Sequence, residues 1–553
     1  MRFLSQPEIE PALPDEDYST QNFANTTNKR IDKNVAATIF ARVGYMVTRI
    51  GIPPFVLAHI GLQAWGIWST AFLLVQYLGL SNSGLSNVYI KYIAEYDAKK
   101  DYEKANVLLS TGLSFTVPLC TTLFAMIVVF WPFVARFVNL PAAFAHDGKE
   151  TFLIVFAVFL SSMSLQAYED LLSGMQEIVM VQWFFIISIV VEMVLIVVLI
   201  DMGRGISGLA EAYLARQLVY FFLCVGYDYY KFKWLRVSPY YFSKKALRNV
   251  LHFGGIVQIQ SIFAILLASP ERVLGVRLLG VEAAGIFDLS KKFPATSSIV
   301  PMSFFSAFLP AASSLHAHTA GEARTRAIRD LYLRGARQAN LTAAYFCSLM
   351  AMLPTAIMTV WLGKQVTAGA MTPAQFHAAI VLFAVFNVAM QIHMLTGPGT
   401  SILRGIGHIY QEFWYAIPNV VFLVFTLAGV YVFMHGWSIL GIGYAVSLAT
   451  LFAAMVFLYR AHRVLHVSNW SYIYQVLLPG IVPYAAAACF SLPVTRMVSH
   501  HSRIAGVGIL LVTGVLYTLL FGVVMHTLVL NDNERASWRT LFQRGLNMLS
   551  QRS

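Results

Sequence analysis

Long apolar segments separated by short polar stretches follow one another along most of the 553-residue chain. Each segment holds about 20 residues, the length a helix needs to cross a hydrocarbon layer of about 30 Å. We count about fourteen such segments, centred on Tyr45, Leu74, Leu119, Leu160, Ile189, Leu218, Ala264, Pro301, Leu349, Ala384, Phe422, Leu448, Pro483 and Gly514. The pattern predicts an all-α polytopic membrane protein with about 14 transmembrane helices.

A glycine-containing phrase occurs twice in the chain. "IGLQAWGIW" and "LGVEAAGIF" share four residues in register, so that Gly61 corresponds to Gly280. Two later matches follow in the same order, Gly174 with Gly405 and Gly208 with Gly441. A long internal repeat indicates a duplicated structural unit. Because each unit would hold six helices, both units enter the membrane from the same side, which is the parallel-repeat arrangement of transporters.

The repeat divides the chain into two six-helix lobes and flanking segments. We expect a disordered cytoplasmic tail (1–33), a first lobe (34–230), a basic amphipathic cytoplasmic linker (231–248), a second lobe (249–460), helices 13 and 14 (461–530) and a cytoplasmic tail (531–553). The linker "KFKWLRVSPYYFSKKALR" combines cations with aromatic residues. This composition favours the surface of an anionic leaflet, and a solvated connector is the alternative.

Composition and charge distribution agree with a membrane location. Hydrophobic residues make up 58% of the chain and charged residues 12%, against about 25% charged in an average soluble protein. The net charge of +12 does not indicate nucleic-acid binding. With the N-terminus inside, Lys and Arg fall on the inner side roughly three times as often as on the outer side. This distribution predicts that both termini are cytoplasmic.

Two stretches resemble polysaccharide flippases of the MOP exporter superfamily. "LGVEAAGIFDLSKKFPATSSIVPMSFFSAFLPAASSL" is similar to the region where a loop of the form LG-x-x-x-x-G-[IY] opens the eighth helix of those proteins. "GLSNSGLSNVYIKYIAEYDAKKDYEKANVLLSTGLSF" is similar to their second helix and the following cytoplasmic loop. The resemblance runs from about Asn34 to Arg463 and, by helix count, to the end. It points to the Wzx-like flippases of O-antigen and lipid-linked oligosaccharides.

The resemblance implies two six-helix lobes in a V around a central cavity, with two further C-terminal helices. It also implies alternating access in the bacterial inner membrane, with an undecaprenyl-pyrophosphate-linked O-antigen or exopolysaccharide repeat unit as cargo. No enzymatic activity and no cofactor are expected, and transport would be coupled to H⁺ or Na⁺. Membrane lipids, a polysaccharide polymerase and glycosyltransferases are the expected partners.

Ionisable side chains inside apolar segments are the candidate substrate-binding residues. Each costs about 2.5–3.5 kcal/mol to place in a membrane, so it is expected to face a cavity or a partner. Arg42 and Arg49 lie seven residues apart, on one face of the first helix. Arg42 is near enough to the cytoplasmic surface to reach water there instead. Arg49 lies too deep for that, which favours a position lining the cavity.

Further candidates lie at the end of the seventh helix and in the eighth. Glu271 and Arg272 either neutralise each other or face the cavity. Asp288, Lys291 and Lys292 stand at spacings of three and four, which favours a local ion pair with one positive charge left over. The resemblance implies a cationic cavity for pyrophosphate or acidic sugars. The predicted cavity cations are therefore Arg42, Arg49, Arg272, Lys291 and Lys292.

The acids Glu192, Glu271 and Asp288 are candidates for ion coupling or charge balance. Glu192 lies midway along the fifth helix, where it is either a proton-coupling group or a buried structural carboxyl. The motifs HExxH, GxxxxGK[ST], GxSxG and CxxC are absent from the sequence, so we predict neither catalytic residues nor a metal site.

Three alternative functions remain open from the sequence. A cation-coupled multidrug exporter of the same superfamily fits the helix pattern, but a basic cavity disfavours cationic drugs. A membrane glycosyltransferase or glycan ligase would normally carry a large outer catalytic loop, whereas the longest outer loop here, "RFVNLPAAFAHDGKE", is short. A flippase for a peptidoglycan precursor would differ mainly in its cargo.

Overall fold

The computed structural model describes residues 17–78, 82–248, 269–363 and 369–529, together with residue 535. These ranges are helical nearly throughout and contain no β-strand. The helices are α1 (Asp17–Leu78), α2 (Asn82–Ala98), α3 (Tyr102–Val129), α4 (Trp131–Phe137), α5 (Ala145–Gly174), α6 (Ile178–Asp201), α7 (Gly205–Lys231), α8 (Pro270–Leu279), α9 (Val281–Ser297), α10 (Ile299–His318), α11 (Gly321–Met352), α12 (Pro354–Leu362), α13 (Pro373–Met394), α14 (Thr396–Gly405), α15 (Phe413–Phe433), α16 (Ile439–Val464), α17 (Asn469–Tyr472), α18 (Leu478–His500) and α19 (Arg503–Val524).

Ten helices within the described ranges are long and apolar enough to cross a membrane. A further pair, α11 with α12, would cross as one span bent by 74°. The predicted all-α polytopic fold is therefore confirmed, and the chain is a multi-pass membrane protein. The seventh predicted segment, around Ala264, lies outside the described residues, so the total of about 14 helices stays a prediction.

The helices depart from the predicted segments in two places. The first and second predicted segments share α1, which breaks at Gly61, where φ is 77° and ψ is 174°. The eighth is divided between α9 and α10, which meet at Ser298. Apolar composition marks where the chain lies in the membrane, but it carries no information on such breaks.

The duplicated sequence is matched by a duplicated backbone. Gly61 and Gly280 correspond in the repeat, and both have a positive φ, of 77° and 91°. Four further turns pair a positive-φ residue of the first unit with one of the second, namely Lys100 with Gly321, Asn139 with Gly363, Gln176 with Gly407 and Gly203 with Gly436. Residues other than glycine adopt this conformation at a cost of about 1–2 kcal/mol. Its recurrence at matching turns shows that the two units have positive φ angles at equivalent positions.

At the end of the bundle that carries Gly61 and Gly280, which we call the closed end, the two units share one hydrophobic core. This core combines residues of the first unit, such as Val56 and Ile67, with residues of the second unit, such as Phe287. The two units are therefore packed together at this end as parts of a single apolar body.

The centre of the closed end is a contact between α1 and α9. A Cβ atom added to Gly66 would overlap the carbonyl oxygen of Val281, and one added to Gly285 would lie 3.2 Å from the Cα of Gly66. The two backbones can approach this closely only because neither glycine has a side chain. Gly66 and Gly285 correspond in the repeat, so the two units meet through equivalent positions.

Side-chain hydrogen bonds also join the units at this end. The indole Nε1 of Trp361 donates to the carbonyl oxygen of Ile50 at 2.6 Å. The amide Nδ2 of Asn139 donates to the carbonyl oxygens of Arg277 and Val276, at 2.9 and 3.3 Å. The Ile50 carbonyl lacks its usual helical partner because Pro54, four residues later, has no amide hydrogen, and the Arg277 carbonyl lies in the last turn of α8.

The opposite end, which carries the polar turns at 99–101 and 319–320, is called the basic end. Here each unit has its own core, one within residues 88–235 and one within residues 308–476. No hydrophobic core joins the units at this end within the described ranges. The units therefore have separate hydrophobic cores toward the basic end, as expected for the predicted V.

The two C-terminal helices are fastened to the second unit by polar contacts. The Tyr484 hydroxyl of α18 donates to Gln391 Oε1 of α13 at 2.6 Å, and Gln391 Nε2 donates to Asn340 Oδ1 of α11 at 3.0 Å. The hydroxyl groups of Ser348 and Tyr517 lie 2.8 Å apart and connect α11 with α19. Hydrogen bonds between helices are a common means of association in apolar surroundings.

Replacing Gly66 with Ala is expected to lower the thermal unfolding midpoint of the purified protein, because the new methyl group overlaps the Val281 carbonyl. Overpacking of this kind costs about 1–3 kcal/mol. Gly226→Ala in α7 is the matched control, since an added Cβ there meets nothing within 4 Å. Equal midpoints for the two variants would show that the glycine contact does not hold the units together.

Candidate functional site

A cluster of three ionisable side chains joins α1, α6 and α7 in the first unit. Arg49 Nη2 donates to both carboxylate oxygens of Glu192, at 3.0 and 2.8 Å. Arg216 Nη1 donates to Glu192 Oε2 at 3.4 Å. The Glu192 side chain is 1% exposed, while those of Arg49 and Arg216 are 22% and 13% exposed. We call this the first cluster, and it places a buried carboxylate behind two partly accessible arginines.

Aromatic rings surround the two arginines. The guanidinium of Arg49 lies 4.8 Å from the centre of the Tyr45 ring. The guanidinium of Arg216 lies 5.2 Å from the centre of the Tyr213 ring. Such cation–π contacts stabilise a cation where water is scarce. They also fix the direction in which each guanidinium points.

A second cluster lies between α8 and α9 of the second unit. Arg272 Nη1 donates to Asp288 Oδ1 at 3.1 Å, and Lys292 Nζ lies 3.1 Å from Asp288 Oδ2. Lys291 Nζ donates to Glu271 Oε1 at 2.8 Å. The Glu271 side chain is completely buried, whereas the two lysines remain about one quarter exposed, at 24% and 25%.

Each cluster contains one more cation than it contains acids. The first cluster has two arginines and one glutamate, and the second cluster has three cations and two carboxylates. A charge in a protein interior interacts much more strongly than one in water, because the surroundings screen it less. The two clusters therefore present positive charge in both units.

The second half of α1, from Leu62 to Leu78, connects the two clusters. The Tyr213 ring, which contacts Arg216 of the first cluster, packs edge-on against Phe72, with ring centres 5.0 Å apart. The Lys292 ammonium of the second cluster lies 5.5 Å from the centre of the Trp65 ring. Both clusters are thus linked to the helix that forms the closed-end contact.

Most predicted site residues come together in these clusters, although in different pairs from those expected. Glu271 and Arg272 do not pair with each other, because each binds a residue of α9 instead. The expected local pair at i, i+4 is present between Asp288 and Lys292. Arg42 is exposed on α1 and belongs to neither cluster, so its role in the cavity stays a prediction.

Arg216 is the residue that the predicted set lacked. Within α7 its nearest acid in sequence is Glu211, but Glu211 pairs with Arg204 instead. The sequence did contain a signal for a site role of Arg216, because Arg216 is a cation inside an apolar segment and has no acid partner at helical spacing. Its partner Glu192 lies on another helix, and sequence spacing does not show such a contact.

A separate cavity of about 600 Å³ lies at the closed end. Phe55 and His59 of α1, Leu362 of α12 and Arg503 of α19 contribute to its lining. None of the predicted site residues lines it. The charge clusters and this cavity are therefore different features of the structure.

Sequence comparison places the chain among proteins of polysaccharide synthesis. A family model described as polysaccharide biosynthesis protein matches residues 32–316, just over half of the chain. The uncharacterized membrane protein EpsK of Bacillus subtilis (strain 168) is 20% identical over 515 residues, which cover 91% of this chain and 96% of EpsK. A putative O-antigen transporter of Shigella flexneri is 21% identical over 292 residues, which cover 52% of this chain and 67% of that protein.

Solved structures share the fold. An inward-facing multidrug resistance MATE family transporter of the MOP superfamily has a TM-score of 0.61 at 14% identity, covering 76% of this chain and 94% of the transporter. The lipid II flippase MurJ in an inward closed conformation has a TM-score of 0.62 at 12% identity, covering 89% of this chain and 98% of MurJ. These structures show that the chain has the fold of the MATE transporter and of MurJ. The family match shows that the chain belongs to the polysaccharide biosynthesis protein family.

Proposed function

We propose that the protein is a flippase that moves a polyprenyl-pyrophosphate-linked glycan repeat unit across the bacterial inner membrane. The observation that carries the proposal is the pair of charge clusters, each with one cation in excess, that are both linked to the second half of α1. A pyrophosphate-linked glycan has an anionic head and a long apolar tail. The O-antigen transporter among the relatives supports the same class of cargo.

The two clusters suit a phosphate-bearing head group. Arginine binds phosphate oxygens through two parallel hydrogen bonds, and lysine acts as a compact positive charge. Without cargo, the buried carboxylates keep these cations in place, because an unpaired charge removed from water costs several kcal/mol. When the head group binds, it shares the cations, while the polyprenyl chain remains in the lipid.

Transport requires the closed end to open and the units to come together at the basic end. In the present state the units are packed together around Gly66 and Gly285 and have separate hydrophobic cores at the basic end. Release on the other side would separate the glycine contact and bring the two basic-end cores together. Both termini lie in the cytoplasm in this proposal, so the cargo enters from the basic end.

Coupling to H⁺ or Na⁺ would use the carboxylates of the clusters. Cargo phosphates compete with Glu192 and Asp288 for the same cations, so a carboxylate that loses its partner would take up a proton or a sodium ion. The cargo would come from membrane glycosyltransferases and pass to a polysaccharide polymerase. The protein itself acts as a transporter and performs no bond-forming step.

The proposal is tested with purified protein in liposomes that contain a fluorescent polyprenyl-pyrophosphate-linked glycan. We expect protein-dependent loss of fluorescence when a quencher that cannot cross the membrane is added, because the glycan reaches the outer leaflet. A cationic dye should not be transported, since the clusters repel it. Dye transport without glycan movement would instead identify a drug exporter.

The charge of the first cluster should control activity. Arg49→Ala makes the cluster neutral, and we expect a loss of roughly tenfold or more in flipping, since a hydrogen bond to a charged group contributes about 1.5–3 kcal/mol. Arg49→Ala combined with Glu192→Gln restores one net positive charge and should recover part of the activity.

Arg204→Ala is the control for this series, because Arg204 also pairs with a glutamate but lies exposed at a turn. It should leave flipping unchanged. If the double variant is as inactive as Arg49→Ala while both remain folded by thermal unfolding, the role of Arg49 is structural rather than electrostatic.

Lys292 should contribute through its charge in the same way. Lys292→Ala is expected to weaken binding of the labelled glycan lipid by roughly tenfold, measured by fluorescence polarisation in detergent. Lys292→Arg keeps the charge and should restore most of the affinity. Equal affinities for the alanine variant and the unmodified protein would remove the second cluster from the proposed site.

A further inference from the structure

The connector between the two units is held against α3 as an extended segment. Residues 232–243, which we call the strap, contain a hydrogen-bonded turn at 232–235 and a three-residue 3₁₀ turn, Pro239–Tyr241, and no α-helix. The Trp234 ring stacks on Tyr102 at the start of α3, with ring centres 4.5 Å apart. The connector is therefore fixed to the first unit, a contact that the predicted amphipathic segment at the surface of an anionic leaflet did not include.

Polar side chains of α3 bind the main chain of the strap. Asn106 Nδ2 donates to the carbonyl oxygen of Trp234 at 3.0 Å, and its Oδ1 accepts from the Arg236 amide at 2.8 Å. The amides of Ser238 and Ser243 donate to the hydroxyl oxygens of Ser110 and Thr111, at 3.1 and 3.0 Å. Because these bonds use the strap's backbone, they do not depend on its exposed side chains.

The strap has a buried side and an exposed side. Phe232 and Leu235 pack into the core of the first unit and are 6% and 5% exposed. Tyr240 is 98% exposed. The cations of the strap and of the residues that follow it are also exposed, namely Lys233, Arg236, Lys244, Lys245 and Arg248.

These cations are not balanced by acids. The sequence from Tyr229 to Pro270 contains no Asp or Glu. Within the described ranges, the five exposed cations make no salt bridge with a carboxylate. The lysines around the α2–α3 turn, at the same end, differ because each pairs with a neighbouring acid. The pairs are Lys99 with Glu95 at 2.7 Å, Lys100 with Asp97 at 3.1 Å and Lys104 with Asp101 at 2.5 Å.

The length of α3 sets the depth of the strap in the membrane. The helix has 28 residues and is therefore about 42 Å long, about 12 Å more than the hydrocarbon layer. The exposed large apolar side chains of α3 lie between Val117 and Val129, which marks the lipid-facing part of the helix. The residues that contact the strap lie before this part, between Tyr102 and Thr111. The strap thus lies beside the part of α3 that projects from the hydrocarbon, at the level of the lipid headgroups.

We propose that the strap and residues 244–248 form a binding surface for anionic phospholipid headgroups. The exposed cations would contact lipid phosphates, while Tyr240, Tyr241 and Phe242 would lie at the boundary of the acyl chains, where aromatic residues are favoured. Bound lipid would hold the connector against the membrane on the side of the first unit. This surface is separate from the proposed cargo site and does not depend on it.

The arrangement favours lipids over a soluble phosphate compound. A site for a free phosphate needs several donors that converge on one point, whereas these cations are spread along the strap and the turn that follows it. A surface of many separate headgroups matches such a spread. The adjacent exposed aromatic side chains add an apolar contact that a soluble phosphate would not use.

The full-length protein in detergent is titrated with phosphatidylglycerol or phosphatidylcholine, and bound lipids are counted by native mass spectrometry. We expect a preference for phosphatidylglycerol that is lost in the variant Lys233→Ala/Lys244→Ala/Lys245→Ala. The affinity should fall by roughly a hundredfold, since each cation near the surface contributes about fivefold. Inorganic phosphate at millimolar concentration should not displace the lipid.

The matched control is Lys99→Ala/Lys100→Ala/Lys104→Ala, which removes three cations from the same end that are already paired with acids. It should bind phosphatidylglycerol as the unmodified protein does. Unchanged lipid binding in the strap variant would overturn the proposal, and so would an equal loss in the control. Displacement by inorganic phosphate would assign the surface to soluble phosphate groups instead. Flipping activity is not needed for any of these results.

Discussion

The close approach of Gly66 and Gly285 is the contact on which the arrangement of the two units depends. Two main chains meet there without intervening side chains, so the units share one apolar core at this end. The same contact fixes the second half of α1 against α9. As a result, Lys292 lies over the Trp65 ring and the second cluster faces the first unit.

The charge clusters combine two requirements that oppose each other. Cations placed inside a membrane protein need acid partners, because an unpaired buried charge is costly. Full neutralisation, however, would remove the attraction for the anionic cargo that we propose. The observed composition, with one cation in excess in each cluster, satisfies both requirements. Glu271 is completely buried and Glu192 nearly so, while their partners Lys291 and Arg49 remain partly exposed.

Several features could be predicted from the sequence because they depend on local pattern. Apolar runs identified the membrane helices, and the repeated phrase identified the duplication that the positive φ angles of Gly61 and Gly280 confirm. The pair of Asp288 with Lys292 was also predictable, since both lie on one helix face. Contacts between helices were not predictable in this way. The binding of Arg216 to Glu192, and of Lys291 to Glu271, depends on how distant segments pack.

The strap shows a second limit of sequence patterns. Its alternation of cations and aromatic residues is compatible with an amphipathic helix and with an extended segment. Composition alone does not distinguish these two conformations. Pro239 and the hydrogen bonds to Asn106, Ser110 and Thr111 favour an extended conformation instead. Only the position of α3 beside the connector makes those bonds available.

The dry packing at the closed end has an electrical consequence. Water that enters between the units can carry ions toward the charged side chains, and moving one elementary charge across 100 mV releases about 2.3 kcal/mol. The buried Ile67 and Phe287 belong to one continuous apolar core, which excludes water from the region that it fills. A binding site that opens to water at the basic end, as we propose, would be separated from the opposite side by this core, and the transmembrane voltage would be preserved.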